Sequence, residues 1–373
     1  MALNIIPSTI SDCDISAQLQ QQVQSSIDLR SPLVIRGGGS KSFYGRASVE
    51  TSNILEMKHH TGVMDYDPTE LAITVRAGTR LKDLEALLDS KQQILAFEPP
   101  QFNANSTIGG VVAAGLSGPR RAYTGSIRDA ILGVDIINGD GKIVHFGGQV
   151  MKNVAGYDMS RLMVRSMGTL GVILSVSLRV LPKPNKEITV VIDASQEESL
   201  GYYQQWRLQH LPITATVWYN DKLTVRLSGT EITLGIAMQS FESLPSTTVL
   251  NDADIFWQSI RNHHHPFFSE VTKPLWRLSL PSSTKVIARF EGDLLIEWGG
   301  GQRWVSSNVP ANIVRGVVKR HGGYATLFTG HKLLPEVPPF PTLAPELFAL
   351  HKSLKRKLDP QGIFNPGRLY RDL

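Results

Sequence analysis

The stretch PLVIRGGGSKSFYG, Pro32 to Gly45, runs from three apolar residues into Gly37, Gly38 and Gly39, with Arg36 before the triplet and Lys41 after it. Glycine in a strand-like run costs stability, so it marks a turn or a place where backbone approaches something closely. Successive backbone N–H groups in a glycine-rich turn form a concave nest for anions, chiefly phosphates, and Arg36 and Lys41 would add charge to it. The spacing matches neither a Walker loop, which needs Gly-Lys-Ser/Thr after a longer gap, nor the GxGxxG of dinucleotide folds. Alone, the triplet leaves turn and nest both open.

Two further clusters narrow the choice. Pro99 to Gly125, PPQFNANSTIGGVVAAGLSGPRRAYTG, strings Thr107, Gly109, Gly110, Gly115, Gly118 and Gly125 together with little polar bulk and no clear helix or strand register. Such a stretch is costly in backbone entropy unless something rigid lies against it. A floppy surface loop would carry more charge than IGGVVAAGL does, whereas a flat, extended ligand suits it. Phe146 to Ile173, FGGQVMKNVAGYDMSRLMVRSMGTLGVI, again sets small residues beside aromatic and amide ones. Three such clusters point to one large cofactor lying across all of them.

The rest of the chain is consistent with this. At 373 residues it exceeds the size of a single core, and two or more domains are expected. Of its 32 glycines, 19 fall within residues 31–180, and only Gly201, Gly229 and Gly235 within 186–290. One region is thus rich in tight turns and exposed backbone, and the next is an ordinary scaffold. With 38 basic against 33 acidic residues and no long block of like charge, nucleic acid is disfavoured as a partner. Cys13 as the single cysteine excludes an internal disulfide and any CxxC metal or cluster site, and points to a reducing compartment. MALNIIPSTISDCD has neither the basic start nor the apolar core of a signal peptide, and no run approaches the roughly 18 apolar residues of a membrane helix. A soluble, cytoplasmic protein is expected.

Periodicity predicts helices over Ile15–Ile27 and over Leu81–Leu88, the second capped by Thr79. Strands are expected at Leu33–Ile35, Ile54–Lys58, Leu71–Ala77 and at Ile131–Ile137 and Lys142–Phe146, the last two flanking the hairpin turn Asn138-Gly139-Asp140-Gly141. Gly171–Leu181 alternates, with Val172, Leu174, Val176, Leu178 and Val180 on one face and Ser175, Ser177 and Arg179 on the other. Pro182 and Pro184 then mark a boundary. Beyond it, strands are expected at Ile188–Ile192, Thr214–Trp218, Lys222–Leu227, Lys285–Arg289 and Leu294–Trp298. Helices are expected near Glu197–Leu208, Asn312–His321 and Pro345–Lys357.

RGGGSK, TIGG with its following glycines, KNVAGYD, SMGTLGVI and the late LDPQGIFNPGR occur in that order. Together they resemble the FAD-binding domain of PCMH-type, vanillyl-alcohol-oxidase-like flavoproteins, and FGGQVMKNVAGYDMSRLM is more narrowly similar to the FAD-binding E subunits of bacterial glycolate oxidases. The resemblance implies an α+β fold: a PCMH-type FAD-binding domain of two α+β subdomains over 12–183, a second α+β cap domain over 184–343, and a segment returning to the FAD domain over 344–373. It implies that Arg36, Gly37, Gly38, Gly39, Ser40 and Lys41 wrap the pyrophosphate, and that Thr107, Gly109, Gly110, Gly115 and Gly118 line the pyrophosphate and ribityl region. Tyr123 and Gly125 would follow nearby, Gly168, Gly171 and Ile173 would pass the adenine end, and Asn365 and Arg368 would sit in the returning segment.

Departures from the family pattern matter as well. Ser40 stands where covalent flavoproteins carry histidine, so non-covalent FAD is implied. Arg165 replaces a usual glycine. His321-Gly322-Gly323-Tyr324 retains only part of the histidine-rich motif of hydroxy-acid dehydrogenases, so no catalytic residue is assigned. The resemblance implies a complex in which a hydroxy acid such as glycolate is oxidised, with a homologous flavoprotein subunit and an iron–sulfur subunit as partners. A free-standing flavin enzyme for another substrate, or a non-catalytic assembly subunit, remain alternatives.

Four other clusters read as ordinary structure. Adjacent side chains diverge, so His263-His264-His265 reads as a solvated loop and no metal is expected. Lys58-His59-His60 reads as a strand end, and Lys355-Arg356-Lys357 as charges answering a helix dipole. Gly299-Gly300-Gly301 reads as a turn between strands, with Arg303 nearby as a candidate for a substrate carboxylate.

Overall fold

The computed structural model describes residues 10–148, 158–244, 246–269, 272–287 and 290–373. The chain divides into two compact units, the first built from 1–116, 126–183 and 342–373, the second from 117–125 and 184–341.

The first unit centres on an antiparallel sheet of five strands among the described residues, in the order Val63–Asp67, Ala72–Arg76, Val172–Arg179, Ile131–Ile137 and Ile143–Gly147. The turn Asn138–Gly141 joins the last two as its sequence predicts, with Gly141 at φ 73°. The middle strand departs from its expected two-faced pattern, because Ser175 and Ser177 are buried like their apolar neighbours. Their hydroxyls are satisfied across the sheet: Ser177 pairs with Thr74 at 2.8 Å, and Ser175 donates to Asp135.

The helix Leu81–Asp89 buries Leu81, Leu84, Leu87 and Leu88 as predicted, but Arg80 is the residue at its N-cap. Thr79 is engaged elsewhere, accepting from the Gly62 N–H at 3.0 Å. A larger correction concerns IGGVVAA. It forms a helix, Ile108–Ala114, capped by Thr107, whose hydroxyl accepts from the Gly110 N–H, and ended by Gly115 at φ 61°. Glycine is tolerated inside it because the helix passes close to a strand end: a Cβ on Gly109 would lie 2.7 Å from that of Ala77.

The last residues close this unit. Leu33 donates to the Ile363 carbonyl at 2.8 Å, and Asn365 N–H to that of Leu33 at 3.1 Å. Lys355, expected as a surface charge, is buried. Its ammonium donates to Asp359 at 2.6 Å, to the Thr169 carbonyl at 2.7 Å and to that of Phe364 at 2.9 Å. Burial lowers its pKa, while Asp359 opposes that shift.

In the second unit eight antiparallel strands run in the order Thr248–Val249, Lys186–Asp193, Lys222–Gly229, Ile213–Tyr219, Asp293–Glu297, Gln302–Ser306, Leu275–Ser279 and Tyr324–Thr329 among the described residues. The helix Gln196–Gln209 starts with a capping box in which Ser195 and Glu198 satisfy one another's backbone. Trp206 and Tyr203 on this helix join Leu223, Val225, Leu227 and Phe241 in one core. The expected strand Lys285–Arg289 does not form over its described part, 285–287. The carbonyls of Thr284 and Lys285 are instead held by the Arg303 guanidinium.

Candidate functional site

The strand Val34–Arg36 lies parallel to Ile54–Glu56 and delivers the first glycine triplet. Gly37 and Gly38 are required by crowding. A Cβ on Gly37 would fall 2.4 Å from Thr107 Oγ1, and one on Gly38 would fall 1.4 Å from the Asn105 carbonyl oxygen. Gly39 is required for another reason: it sits at φ 68° with open space where its Cβ would be. Among the described residues, the N–H groups of Gly38, Gly39 and Ser40 meet no protein acceptor.

Two cations from distant parts of the sequence hold this loop. Buried Lys41 donates to Ser106 Oγ at 2.7 Å and to Ser40 Oγ at 3.2 Å. Arg368 donates to the carbonyls of Ser42 and Tyr44 at 2.9 and 2.8 Å. Burial pulls the Arg368 pKa to about 10, which leaves it charged at neutral pH. The loop's carbonyls are thus turned toward Arg368. Arg36 pairs with Glu56 on an exposed edge.

Two adjoining cavities share a wall made by Ile35, Gly37, Thr107, Gly110, Met167 and Asn365. One continues along Gly38 to Ser42 toward Arg368; the other continues past Met57, Ala77 and Gly109 to Gly168, Gly171 and Ile173. The result is an elongated cleft, polar and cationic at the loop end and lined by small apolar groups at the other. Asn365 stands between the two halves. Its Oδ1 accepts from the Ile35 N–H at 2.9 Å and its Nδ2 donates to the Met167 carbonyl at 2.7 Å. A Cβ on Gly168, at φ 71°, would reach within 2.6 Å of that Nδ2.

Most of the expected residues therefore line one cleft: Arg36 to Lys41, Thr107, Gly110 and Asn365 in one half, and Gly109, Gly168, Gly171 and Ile173 in the other. Gly115 only ends the helix Ile108–Ala114. Gly118, Tyr123 and Gly125 belong to the second unit. Of KNVAGYD, residues 152–157 lie outside the described residues, and Asp158 caps the next short helix, Met159–Met163. Met57, Ala77, Ala113 and Met167 also line the cleft and carry no sequence signal that separates them from core. Arg165 adopts φ 68°, which accounts for the glycine usual at its position; its exposed side chain lies against Gly115 and lines neither cavity.

Comparison with known proteins bears on the same residues. The FAD binding domain family matches residues 12–147. Over 362 residues the chain is 43% identical to glycolate oxidase subunit GlcE of Escherichia coli (strain K12), covering 97% of this chain and 99% of that one. The chain belongs to the family of that glycolate oxidase subunit. It is accordingly an FAD-binding oxidoreductase family, and part of this chain extends the likeness further. Glycolate oxidase subunit GlcD of Bacillus subtilis (strain 168) is 33% identical over 162 residues, which cover 43% of this chain and 34% of that protein. Among solved structures, an alkyldihydroxyacetonephosphate synthase superimposes with a TM-score of 0.66 at 14% identity, covering 94% of this chain and 75% of that one. That likeness establishes the fold, the PCMH-type flavoprotein fold that the motifs implied.

Within this family fold the chain's catalytic candidates fare poorly. His321 is exposed just past the helix Ala311–Arg320. Arg303 is buried and directed at the carbonyls of Thr284, Lys285 and Gly300, a structural clamp with no carboxylate to receive. His263 does not lie in a solvated loop: it stacks on Phe268 at 4.1 Å and meets Trp304 edge-on at 4.9 Å. His60 is buried behind Asp14 and accepts from the Ile15 N–H. Among the described residues no cluster of metal-ligating side chains occurs, and no helix is long and apolar enough to cross a membrane.

Proposed function

We propose that the chain is the FAD-holding subunit of a complex that oxidises glycolate or a closely similar 2-hydroxy acid. The observation that carries this reading is the 43% identity to a glycolate oxidase subunit along nearly the whole of both chains. The cleft fits the cofactor chemically. Free N–H groups of Gly38, Gly39 and Ser40, with Lys41 beneath them, suit a pyrophosphate. The small residues from Gly109 to Gly168 admit a flat apolar ring system close to backbone. Bound FAD supplies the acceptor for a hydride equivalent, and the protein contributes orientation and exclusion of water.

The attachment is non-covalent, because Ser40 offers the flavin no imidazole. Its hydroxyl instead accepts a hydrogen bond from Lys41. Acid precipitation of the protein should release all flavin into the supernatant, and colour retained by the washed pellet would overturn this.

The substrate's proton and carboxylate are handled elsewhere in the complex. A hydroxy-acid site needs a base for the hydroxyl proton and a cation for the carboxylate. His321 stands exposed and Arg303 is occupied, so this chain works beside a homologous flavoprotein with an intact histidine motif and passes electrons to an iron–sulfur subunit. Such an assembly would sit in the cytoplasm, its membrane contact made by partners. The test is anaerobic mixing of the purified, FAD-loaded chain with excess glycolate or lactate. Flavin absorbance should persist until the partner flavoprotein is added, and rapid bleaching by the chain alone would mean that it carries a complete catalytic site.

A further inference from the structure

The second unit carries a half-open pocket of about 520 Å³ that the function above does not use. Its walls come from the short helix Arg121–Thr124, the end of the helix Gln196–Gln209, and the turn Trp298–Gly301. Three basic side chains line it, Arg121, Arg207 and His210, and no carboxylate does. The Arg121 guanidinium lies over the Trp298 ring at 4.5 Å. Stacking of this kind orients the cation against an aromatic face. Among the described residues the only hydrogen bond of Arg207 goes to Ser282 Oγ at 2.8 Å, one use of a group with five donors.

The walls otherwise are aromatic, with Tyr123, Tyr203, Trp206 and Trp298 contributing. Tyr203 carries a second, independent sign. Its side chain is buried, and its hydroxyl, beside that of Thr216, has no hydrogen-bond partner. The Thr216 oxygen already accepts from the Gly299 N–H at 2.9 Å and from the Tyr123 hydroxyl at 3.4 Å, so it can offer Tyr203 its proton but no free acceptor. Buried polar groups are rarely left this way, because the unmet desolvation costs stability. Burial pushes the phenol pKa up, so it stays neutral with a proton to donate. Glu297, whose charge acts on Tyr203, is held by Gln302 and Trp304 and does not line the cavity.

We propose that this cavity binds a planar organic anion, an aromatic ring system bearing a carboxylate or phosphate, its charge met by Arg207 and Arg121 and its acceptor by the Tyr203 hydroxyl. The volume is in the range that holds ligands of drug-like size, far more than a two-carbon acid fills. Aromatic walls favour flat rings by stacking. Positive charge without a lining carboxylate excludes a cation.

The probe is 2-naphthoate, with naphthalene phosphate as the second anion and 2-naphthamide as the uncharged match. Binding to the full FAD-loaded chain is followed by calorimetry. An anionic probe should bind at one site, the amide at least tenfold more weakly. Arg207→Gln should weaken the anion about tenfold and leave the amide unchanged. Whichever anion binds more tightly names the charged group. Tyr203→Phe should weaken binding several-fold while raising Tm by about 2 °C, an opposition that a purely structural hydroxyl would not produce. Equal binding of acid and amide, binding of neither, or an unchanged Arg207→Gln isotherm would overturn the site. So would loss of the signal on Lys41→Met in place of Arg207→Gln, which would put the probe in the cleft of the first unit.

Discussion

The chain carries two glycine triplets, and they do different things. Gly37-Gly38-Gly39 follows a strand and opens onto a cleft, with free N–H groups above and the Lys41 ammonium buried below. Gly299-Gly300-Gly301 belongs to a turn joining the antiparallel strands Asp293–Glu297 and Gln302–Ser306. In the first, two glycines answer crowding by Thr107 and Asn105; in the second, Gly299 and Gly300 answer φ values of 58° and 91°. The lesson is that the triplet itself carries no function. What decides is whether the freed backbone N–H groups face a space, and whether a cation stands behind them.

Substitutions can break this contrast. The largest effect is expected of Gly38→Val, whose Cβ has no place beside the Asn105 carbonyl. It should lose all flavin and cost about 3 kcal/mol or more in stability, read from flavin content and thermal melting together. Full flavin in a stable variant would remove the crowding argument. Lys41→Met should keep the fold but weaken FAD about 10- to 100-fold, the worth of hydrogen bonds to a charged group, as measured by titrating apoprotein. Unchanged affinity would mean that the first triplet is as structural as the second.

Gly300→Ala should cost about 1–2 kcal/mol of stability through its left-handed backbone, with flavin content unaffected. Flavin loss there would erase the distinction between the triplets. The smallest effect sharpens the contrast through pH. Burial holds the His263 pKa down to about 3, against an ordinary 6.5. Its contribution is therefore present above pH 6.5 and lost as pH falls toward 3, by about 1 kcal/mol between pH 6.5 and 5.5. His263→Phe should flatten that part of the stability curve in denaturant titrations.

Local chemistry was legible wherever one residue type forces one geometry. The hairpin at Asn138–Gly141, the helix face of Leu81, Leu84, Leu87 and Leu88, and the small-residue wall at Gly168 and Gly171 follow from sequence. The IGGVVAA helix was hidden because its stability comes from packing against Ala77, which no propensity reveals. Ser175 and Ser177 looked like a solvent face because their partners, Asp135 and Thr74, are 40 and 103 residues away. Strand Gln302–Ser306 was missed for the same reason: its buried polar residues are satisfied across the sheet and from Glu297. Arg303 read as an available cation and Lys355 as a surface charge at a helix end, because the carbonyls that hold them lie elsewhere in the chain.

The returning C-terminal segment has a consequence for biosynthesis. Asn365 and Arg368 supply the wall between the two halves of the cleft and the clamp on its loop, yet the ribosome adds them only after the whole of the second unit. The sheet of the first unit can assemble from its earlier strands while the chain is still growing, but the cleft cannot. A nascent chain thus carries the glycine loop through the whole synthesis of the second unit without its Arg368 support. The cleft becomes whole only once residues 365–368 have been made, so cofactor loading follows the synthesis of both units, and any message cut short before codon 365 yields a chain without a finished cleft.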